Sequence, residues 1–409
     1  MKRVIAVVGT LDTKGEEVLF LKSLIRDRGH QALIIDSGIL GTPYFEADIH
    51  REEVARKGGV PLETLQEKGD ESYAQNIMSL GLKKIVSSYV KSGGIHGLIA
   101  IGGGQGSVIV SPTLKSLPFG FPKLLVSTKV SQAGIRPYIG IKDILVLPPV
   151  ADLAGINRLT ERVLINAAGA ISGMVEMEEH QRRERKPLVI MSMNGTITEC
   201  GLRVKNALES KGYEVLVFHS IGTGGEALEE YVKTEKDIAC VIELAVNEIG
   251  NDLLGGLASS GPDRLTSAGR RGIPQIVVPG SADFINFLGI ETVPEKFRNR
   301  KKHSHNPQAT IIRTNEEDNK LLGETIAKKL NMSRGPVTVL WPQKGLSSID
   351  KQGKPFWDPG IDEILIKSLL SNLKPDIKIA TLSAHINDSV FAQKIIQVFE
   401  EMMQEKSSG

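Results

Sequence analysis

Four glycines and a serine stand directly after a strongly apolar run in the first half of the chain. Residues 98–101 are all apolar, and Gly102, Gly103, Gly104, Gln105, Gly106 and Ser107 follow them. Glycine lets the backbone approach an anion without a Cβ in the way, and its N–H groups can donate to phosphate oxygens. A tight turn explains one or two glycines. This density instead predicts a phosphate-binding loop made by Gly103, Gly104, Gly106 and the hydroxyl of Ser107.

A second polar loop, predicted over residues 9–15, follows the first apolar run. It contains Thr10, Asp12, Thr13 and Lys14. Threonine hydroxyls and a lysine ammonium group can bind phosphate, and Asp12 can hold Mg²⁺ through water. The loop is neither a Walker A sequence nor GxGxxG, and a helix N-cap explains it equally well when it is taken alone. It gains weight beside the glycine loop, because loops at the carboxyl ends of parallel strands form the ligand crevice of an α/β sheet.

Ser127 and Thr128 end a further apolar run and add two hydroxyl groups to the same predicted edge of the sheet. By themselves these two residues are consistent with a phosphate site but do not identify one. Together with the two loops they complete the predicted site for the phosphates of a nucleotide.

A different set of residues occupies strand ends and loops in the second half of the chain. These residues are His219, Glu243, His303, His305 and His385. Histidine and carboxylate side chains in a cleft can transfer protons or hold a metal. The same positions are also explained by helix caps and by hydrogen bonds between domains, with no catalytic or metal-binding role. An enzyme that acts on a small molecule in a cleft between domains, with these five as catalytic residues, is therefore the alternative to a nucleotide-binding protein.

Alternating apolar runs and amphipathic segments must position these residues. At roughly 150 residues per domain, a chain of 409 residues is expected to form two or three domains. Five apolar runs in the first half are separated by helices or loops, and the pattern restarts after a charged segment at residues 176–186. Such alternation predicts an α/β protein of two tandem Rossmann-like, doubly wound domains with mainly parallel sheets. We place these domains at residues 1–180 and 187–409.

The composition excludes several classes of partner. The 50 Lys and Arg residues nearly balance the 48 Asp and Glu residues, which leaves no electrostatic footprint for nucleic acid or an anionic membrane. The N-terminal apolar run is too short for a signal peptide, and we expect no membrane span, since no window holds ~18 uninterrupted apolar residues. Cys200 and Cys240 are the two cysteines, without CxxC spacing, which fits a reducing compartment. A cytoplasmic location is expected.

Over nearly its whole length the sequence resembles the family of the plant tobamovirus-resistance protein's N-terminal ATP-binding region, a long-uncharacterised family with bacterial, fungal and plant members. Spaced blocks in both halves carry the resemblance. In the first half they are 9–14, 102–107, 127–128, 138–140 and 152–157, and in the second half 217–219, 222–226, 283–287, 303–306 and 385–388.

This resemblance implies two Rossmann-like subdomains, ATP with Mg²⁺ on the N-terminal one, and a homodimer. Gln105 stands where the plant pattern has glycine. The expected partners are a nucleotide and possibly a small-molecule substrate, with no nucleic acid and no membrane. A structural or regulatory interaction protein is the third hypothesis.

Overall fold

The computed structural model describes residues 2–131, 134–177, 185–306 and 308–408. The chain divides into two compact units, Met1–Arg182 and Arg183–Gly409, which we name the N-terminal and the C-terminal unit. Within the residues described, no helix is both long and apolar enough to cross a membrane.

Five apolar runs form the parallel sheet of the N-terminal unit. The strands are β1 Val4–Gly9, β2 Gln31–Asp36, β3 Gly97–Gly102, β4 Lys123–Ser127 and β5 Leu145–Leu147. Their order in the sheet is β2-β1-β3-β4-β5, and every neighbouring pair is parallel. A continuous apolar run is typical of a strand that is buried on both faces. The sequence predicts strands at residues 4–8, 32–35, 97–101, 123–127 and 144–147, each within one residue of the observed ends.

Helices cover both faces of this sheet. They are α1 Leu11–Asp27, α2 Arg51–Gly58, α3 Leu62–Lys68, α4 Glu71–Lys91, α5 Gly104–Ser116, α6 Arg136–Ile139 and α7 Arg158–Glu176. Successive side chains of a strand point to opposite faces. Ile5 and Val7 of β1 therefore pack with α1 and α7, whereas Ala6 and Val8 pack with α4 and α5.

The C-terminal unit repeats this arrangement with six parallel strands in the order β14-β13-β9-β8-β6-β7. The strands are β6 Leu188–Met193, β7 Glu214–His219, β8 Ile238–Ala245, β9 Gln275–Gly280, β13 Val337–Pro342 and β14 Lys378–Leu382. Its helices are α8 Thr198–Ser210, α9 Thr223–Thr234, α10 Asn247–Leu254, α11 Ser267–Arg270, α12 Glu316–Leu330, α13 Pro359–Asn372 and α14 Ser389–Ser408. Short 3₁₀ turns lie at Gly195–Ile197, Ile290–Thr292 and Glu295–Phe297. The prediction of two Rossmann-like α/β units with mainly parallel sheets is confirmed.

A small antiparallel sheet in the C-terminal unit was not predicted. It consists of β10 Phe284–Phe287, β11 Lys302–Asn306 and β12 Ala309–Arg313, in the order β10-β12-β11. Strand β11 has the sequence Lys-His-Ser-His-Asn, which is polar at every position and carries no apolar alternation. Strand β11 therefore could not be predicted from its own residues, because it forms by pairing with the apolar strand β12.

Both predicted ligand loops are shorter than expected because the helices after them begin early. Helix α1 starts at Leu11, so most of the predicted loop 9–15 is the first turns of a helix, with a break in helical geometry at Lys14 (φ −128°, ψ 19°). Helix α5 starts at Gly104. Between strand and helix, each loop is thus reduced to one residue, the N-cap Thr10 after β1 and the N-cap Gly103 after β3.

Candidate functional site

The strand order of the N-terminal unit creates a crevice between β1 and β3. From β1 the chain proceeds to β2 on one side, and the later strands lie on the other side. Helix α1 packs on one face of the sheet and α5 on the opposite face, so the loops after β1 and β3 diverge from each other. Ligands of open α/β sheets bind at this kind of switch point, beyond the carboxyl ends of the strands.

A cavity of about 490 Å³ opens at this point, which we name the first cavity. Residues of both predicted loops line it: Thr10, Asp12, Thr13, Lys14, Gly103, Gly104 and Gly106. The rest of its wall includes apolar side chains from the segment after β2 and from α3, α4 and α5, namely Ile39, Leu40, Leu65, Ala74 and Ile109. The first cavity therefore combines polar loops and a glycine backbone with an apolar surface.

The two loops approach each other where Thr10 faces Gly106. Within the first loop, the hydroxyl oxygens of Thr10 and Thr13 lie 2.8 Å apart. A Cβ built on Gly106 would lie 3.9 Å from the methyl group of Thr10. Helix α5 also presents its first turn here, where a helix carries N–H groups without helical acceptors and the positive end of its dipole.

Asp36, at the end of β2, fixes the backbone around this crevice. Its Oδ1 accepts hydrogen bonds from the N–H groups of Leu11 at 3.0 Å and Gly38 at 2.8 Å. Burial raises the pKa of Asp36, and the two backbone hydrogen bonds act in the opposite direction. Its carboxylate is thus committed to the start of α1 and to the turn after β2.

Lys14 lines the first cavity but already has a partner. Its ammonium group donates to the backbone carbonyl oxygen of Leu153 at 2.5 Å. The same segment is tied to α1 a second time, since the N–H of Gly155 donates to Glu17 Oε1 at 2.9 Å. The residues around Leu153 are therefore held against the first turns of α1.

Two predicted binding residues, Ser107 and Ser127, do not reach the first cavity. Both are fully buried, and their hydroxyl oxygens lie 2.7 Å apart. Ser107 Oγ donates to the carbonyl of Gly103 at 2.6 Å, and Ser127 Oγ accepts from the N–H of Lys129 at 3.1 Å. These hydroxyls connect the loops after β3 and β4, so their role here is to position the glycines.

Acidic residues at the start of α4 form part of the wall of the first cavity. Asp70 caps α4 by accepting from the N–H of Tyr73 at 3.0 Å, and Glu71 Oε1 accepts from the side-chain amides of Gln105 and Gln75. Gln105 is exposed. Its side chain thus joins the glycine loop to α4 and forms part of the cavity wall.

A second cavity of about 500 Å³ lies beside the first one and also includes Gly103 and Gly104 in its wall. Thr128, the remaining predicted binding residue, lines this second cavity rather than the first. Its lining also contains Val150, which has φ 66° and is 84% exposed. The N–H of Ala151 donates to the carbonyl of Pro149 at 2.7 Å, which closes a three-residue turn around Val150. A β-branched residue rarely adopts this conformation, and such strain concentrates at functional sites.

Two of the predicted catalytic residues of the C-terminal unit, His219 and His385, lie far apart. His219 ends β7 and His385 follows β14, which are the two edges of the six-stranded sheet. Five strand spacings separate them, a distance of about 24 Å. His303 lies in β11 of the antiparallel sheet, with its ring centroid 6.5 Å from that of Phe356. His305 is in the same strand, and its side chain is outside the described residues.

Both ring nitrogens of His385 lie within hydrogen-bonding distance of backbone groups. It is buried, its Nε2 lies 2.9 Å from the carbonyl oxygen of Ser347, and its Nδ1 accepts from the N–H of Asn387 at 3.1 Å. The ring therefore links the loop after β14 to the loop after β13. Across residues 2–131, 134–177, 185–306 and 308–408, no group of three or more His, Cys, Asp and Glu side chains is placed to hold a metal ion.

Glu243 belongs to a buried ion-pair network around Arg264. The guanidinium group donates two hydrogen bonds of 2.6 Å to the carboxylate of Glu243 and one of 2.6 Å to Glu248. Glu229 lies 3.4 Å away and accepts from the N–H groups of Leu265 and Ser267. All four charged side chains are almost fully buried. Glu243 is therefore the bidentate partner of Arg264 in this network.

A second buried charged cluster in the C-terminal unit surrounds Arg313. Its Nη2 donates to Asp362 at 2.6 Å and lies 3.9 Å from Asp350. Asp283 accepts from the hydroxyl of Ser347 at 2.8 Å. One oxygen of Asp283 and one of Asp350 are buried without a hydrogen-bond partner. Burial, and then the charge of Asp350, raise the pKa of Asp283 to about 7.

The corresponding switch point of the C-terminal unit, between β6 and β8, is occupied by side chains. Asn194 Nδ2 donates to Asn247 Oδ1 at 3.2 Å. Asn194 Oδ1 accepts from the hydroxyls of Thr196 at 2.8 Å and Ser281 at 3.1 Å. These residues bind one another across the position that the first cavity occupies in the N-terminal unit.

Family models match both halves of the chain. The model described as "Uncharacterised protein family (UPF0261) N-terminal domain" matches residues 3–180, and its C-terminal counterpart matches residues 186–403. A "UPF0261 protein" of Clostridium tetani is 38% identical over 98% of this chain and 100% of its own length. One from Mesorhizobium japonicum is 35% identical over 97% of this chain and 98% of its own length.

A plant relative is similar to this chain over part of its own length. The "ToMV resistance protein Tm-1(GCR237)" of Solanum lycopersicum is 32% identical over 97% of this chain and 55% of the plant protein. Among solved structures, a UDP-N-acetylglucosamine 2-epimerase from Rickettsia bellii is 9% identical over 99% of this chain and 98% of its own. Its TM-score is 0.24, so it carries no argument about function.

Proposed function

The chain belongs to the uncharacterised protein family UPF0261, and from that premise we propose that it is a nucleotide-binding protein whose N-terminal unit binds ATP in the first cavity. One observation supports this proposal above the others. The loops after β1 and β3, both predicted to bind phosphate, line one cavity at the switch point of a doubly wound sheet.

Each part of the first cavity suits one part of a nucleotide. Gly103, Gly104 and Gly106 leave room for phosphate oxygens beside the first turn of α5, and Lys14 offers a positive charge. The apolar side chains of Ile39, Leu65 and Ile109 suit the face of a base.

The acidic residues of the first cavity suit the remaining groups. Asp70 and Glu71 can accept hydrogen bonds from ribose hydroxyls. Asp12 is the residue that we propose to hold Mg²⁺ through water, because Mg²⁺ is typically bound by one or two carboxylates together with substrate phosphates.

We predict that Lys14→Ala and Gly104→Val each raise the Kd for Mg²⁺–ATP by about 10- to 100-fold. The first removes the ammonium group. The second places a branched side chain on the wall that the first and second cavities share, where its Cβ would lie 3.2 Å from the flexible end of Lys129, a residue of the second cavity. Isothermal titration calorimetry with Mg²⁺–ATP measures the effect, and thermal unfolding shows that both variants remain folded.

Matched controls are available in the same unit. Lys83→Ala removes an exposed ammonium group from α4, and Gly169→Val adds the same side chain to α7 where a Cβ meets no atom within 4 Å. Both controls should bind Mg²⁺–ATP like the unaltered protein. Equal affinity in all four variants would contradict the placement of the phosphates. The absence of any binding by the unaltered protein would contradict the proposed function itself.

A further inference from the structure

The second cavity differs in chemistry from the first one although both share the backbone wall formed by Gly103 and Gly104. Its lining includes Lys129, Thr128 and Ser131, that is, one cationic side chain and two hydroxyl groups. At about 500 Å³ it lies within the usual range for a small-molecule site. A separate compartment of this size next to the proposed nucleotide site has room for a molecule of its own.

The positive side chain lies next to the shared wall. A Cβ built on Gly104 would lie 3.2 Å from Lys129 Cε, and one built on Gly103 would lie 3.9 Å from Thr128 Oγ1. A lysine and hydroxyl groups that converge on an exposed backbone form a favourable environment for the oxygens of a carboxylate or phosphate group.

The second cavity also contains one acidic side chain, Asp152. Its Oδ1 accepts from the N–H of Leu153 at 2.9 Å. A carboxylate in this position can accept a hydrogen bond from a hydroxyl group of a bound molecule. It would repel an anionic group, so such a group belongs at the Lys129 side of the cavity.

We propose that the second cavity binds a small anionic molecule, through a carboxylate or phosphate group, beside the nucleotide phosphates. This inference rests on the proposed function only in naming a nucleotide as the molecule in the first cavity. The anion site itself does not depend on it. The two glycines have no side chains to separate the compartments, so a molecule in the second cavity would lie directly next to the phosphates in the first. That juxtaposition is what a second substrate of a nucleotide-dependent reaction requires.

Calorimetric titration with inorganic phosphate and, in a separate arm, with malonate tests the inference. Each probe is titrated to roughly 50 mM, well above a millimolar Kd, into the protein alone and into protein saturated with a non-hydrolysable ATP analogue. We expect at least one probe to bind in both states. Lys129→Met should raise its Kd about tenfold, and Lys83→Met should leave it unchanged.

The outcomes separate this inference from the proposed function. One outcome is that the ATP analogue abolishes probe binding and that Lys129→Met weakens binding of the analogue as strongly as binding of the probe. The second cavity would then hold the nucleotide's own phosphates, and the inference would be wrong. If neither probe binds in either state, it is also wrong. If the protein binds no ATP but binds a probe in a way that depends on Lys129, the result would support the anion site and contradict the proposed nucleotide-binding function.

Discussion

Replacing Arg264 with methionine is expected to lower the free energy of unfolding of the C-terminal unit by about 3–5 kcal/mol. Burial alone would lower the pKa of Arg264, but the charges of Glu243 and Glu248 raise it well above its usual value. The guanidinium is therefore charged whenever the protein is folded. Its removal would leave the carboxylates of Glu243 and Glu248 buried without a counter-charge, which is the costly way to break a buried ion pair.

Thermal unfolding measures this loss. At about 2–4 °C per kcal/mol for a domain of this size, Tm should fall by on the order of 10 °C. Arg270→Met is the matched control, because Arg270 is exposed and lies 3.4 Å from Asp263, and exposed pairs contribute about 0–1 kcal/mol. Adding Glu243→Gln and Glu248→Gln to Arg264→Met should recover part of the loss. An Arg264→Met protein as stable as Arg270→Met would show that the network does not stabilise the unit.

Replacing Asp283 with asparagine is expected to stabilise the C-terminal unit at alkaline pH but not at acidic pH. The pKa of Asp283 is raised from 3.8 to about 7 by burial and by Asp350. The folded state therefore holds a proton that the unfolded state has released between these two pH values. Because the unfolded state binds fewer protons at this position, the contribution of Asp283 to stability falls as pH rises from about 4 to 7 and stays low above that range.

The expected size follows from about 1.4 kcal/mol per pKa unit, or on the order of 4 kcal/mol at pH 8. The asparagine amide is neutral at every pH, so the free energy of unfolding of Asp283→Asn should exceed that of the unaltered protein at pH 8 and approach it near pH 4. Urea unfolding at several pH values measures both. Asp376→Asn changes an exposed carboxyl and should leave the pH profile unaltered. A constant difference between Asp283→Asn and the unaltered protein from pH 4 to pH 8 would contradict the shifted pKa.

The sequence predicted the strands of both parallel sheets because each is a local apolar run bounded by glycine or polar residues. It also predicted that the loops after β1 and β3 share one edge of the sheet, and residues of both loops line the first cavity. The apolar wall of the first cavity was not predicted. It comes from residues after β2 and from α3 and α4, whose sequence shows only amphipathic helices.

The sequence could not reveal which strand ends are neighbours in the C-terminal unit. His219 and His385 both follow strands, yet the strand order places them at opposite edges of the sheet. Glu243 was identified as polar at a strand end, but its partner Arg264 lies in a loop 21 residues later. No periodicity links these two positions, because their contact depends on the tertiary fold. Buried charge networks of this kind resemble catalytic clusters when only residue types are visible.

The hydrogen bond from Lys14 to the Leu153 carbonyl uses one of the three donors of the ammonium group. A phosphate can be bound by the other two donors while the carbonyl keeps the side chain in place. Lys14 would then connect a phosphate in the first cavity to residues 149–155, part of which lines the second cavity. Slower amide hydrogen exchange at residues 149–155 on saturation with ATP would reveal that connection.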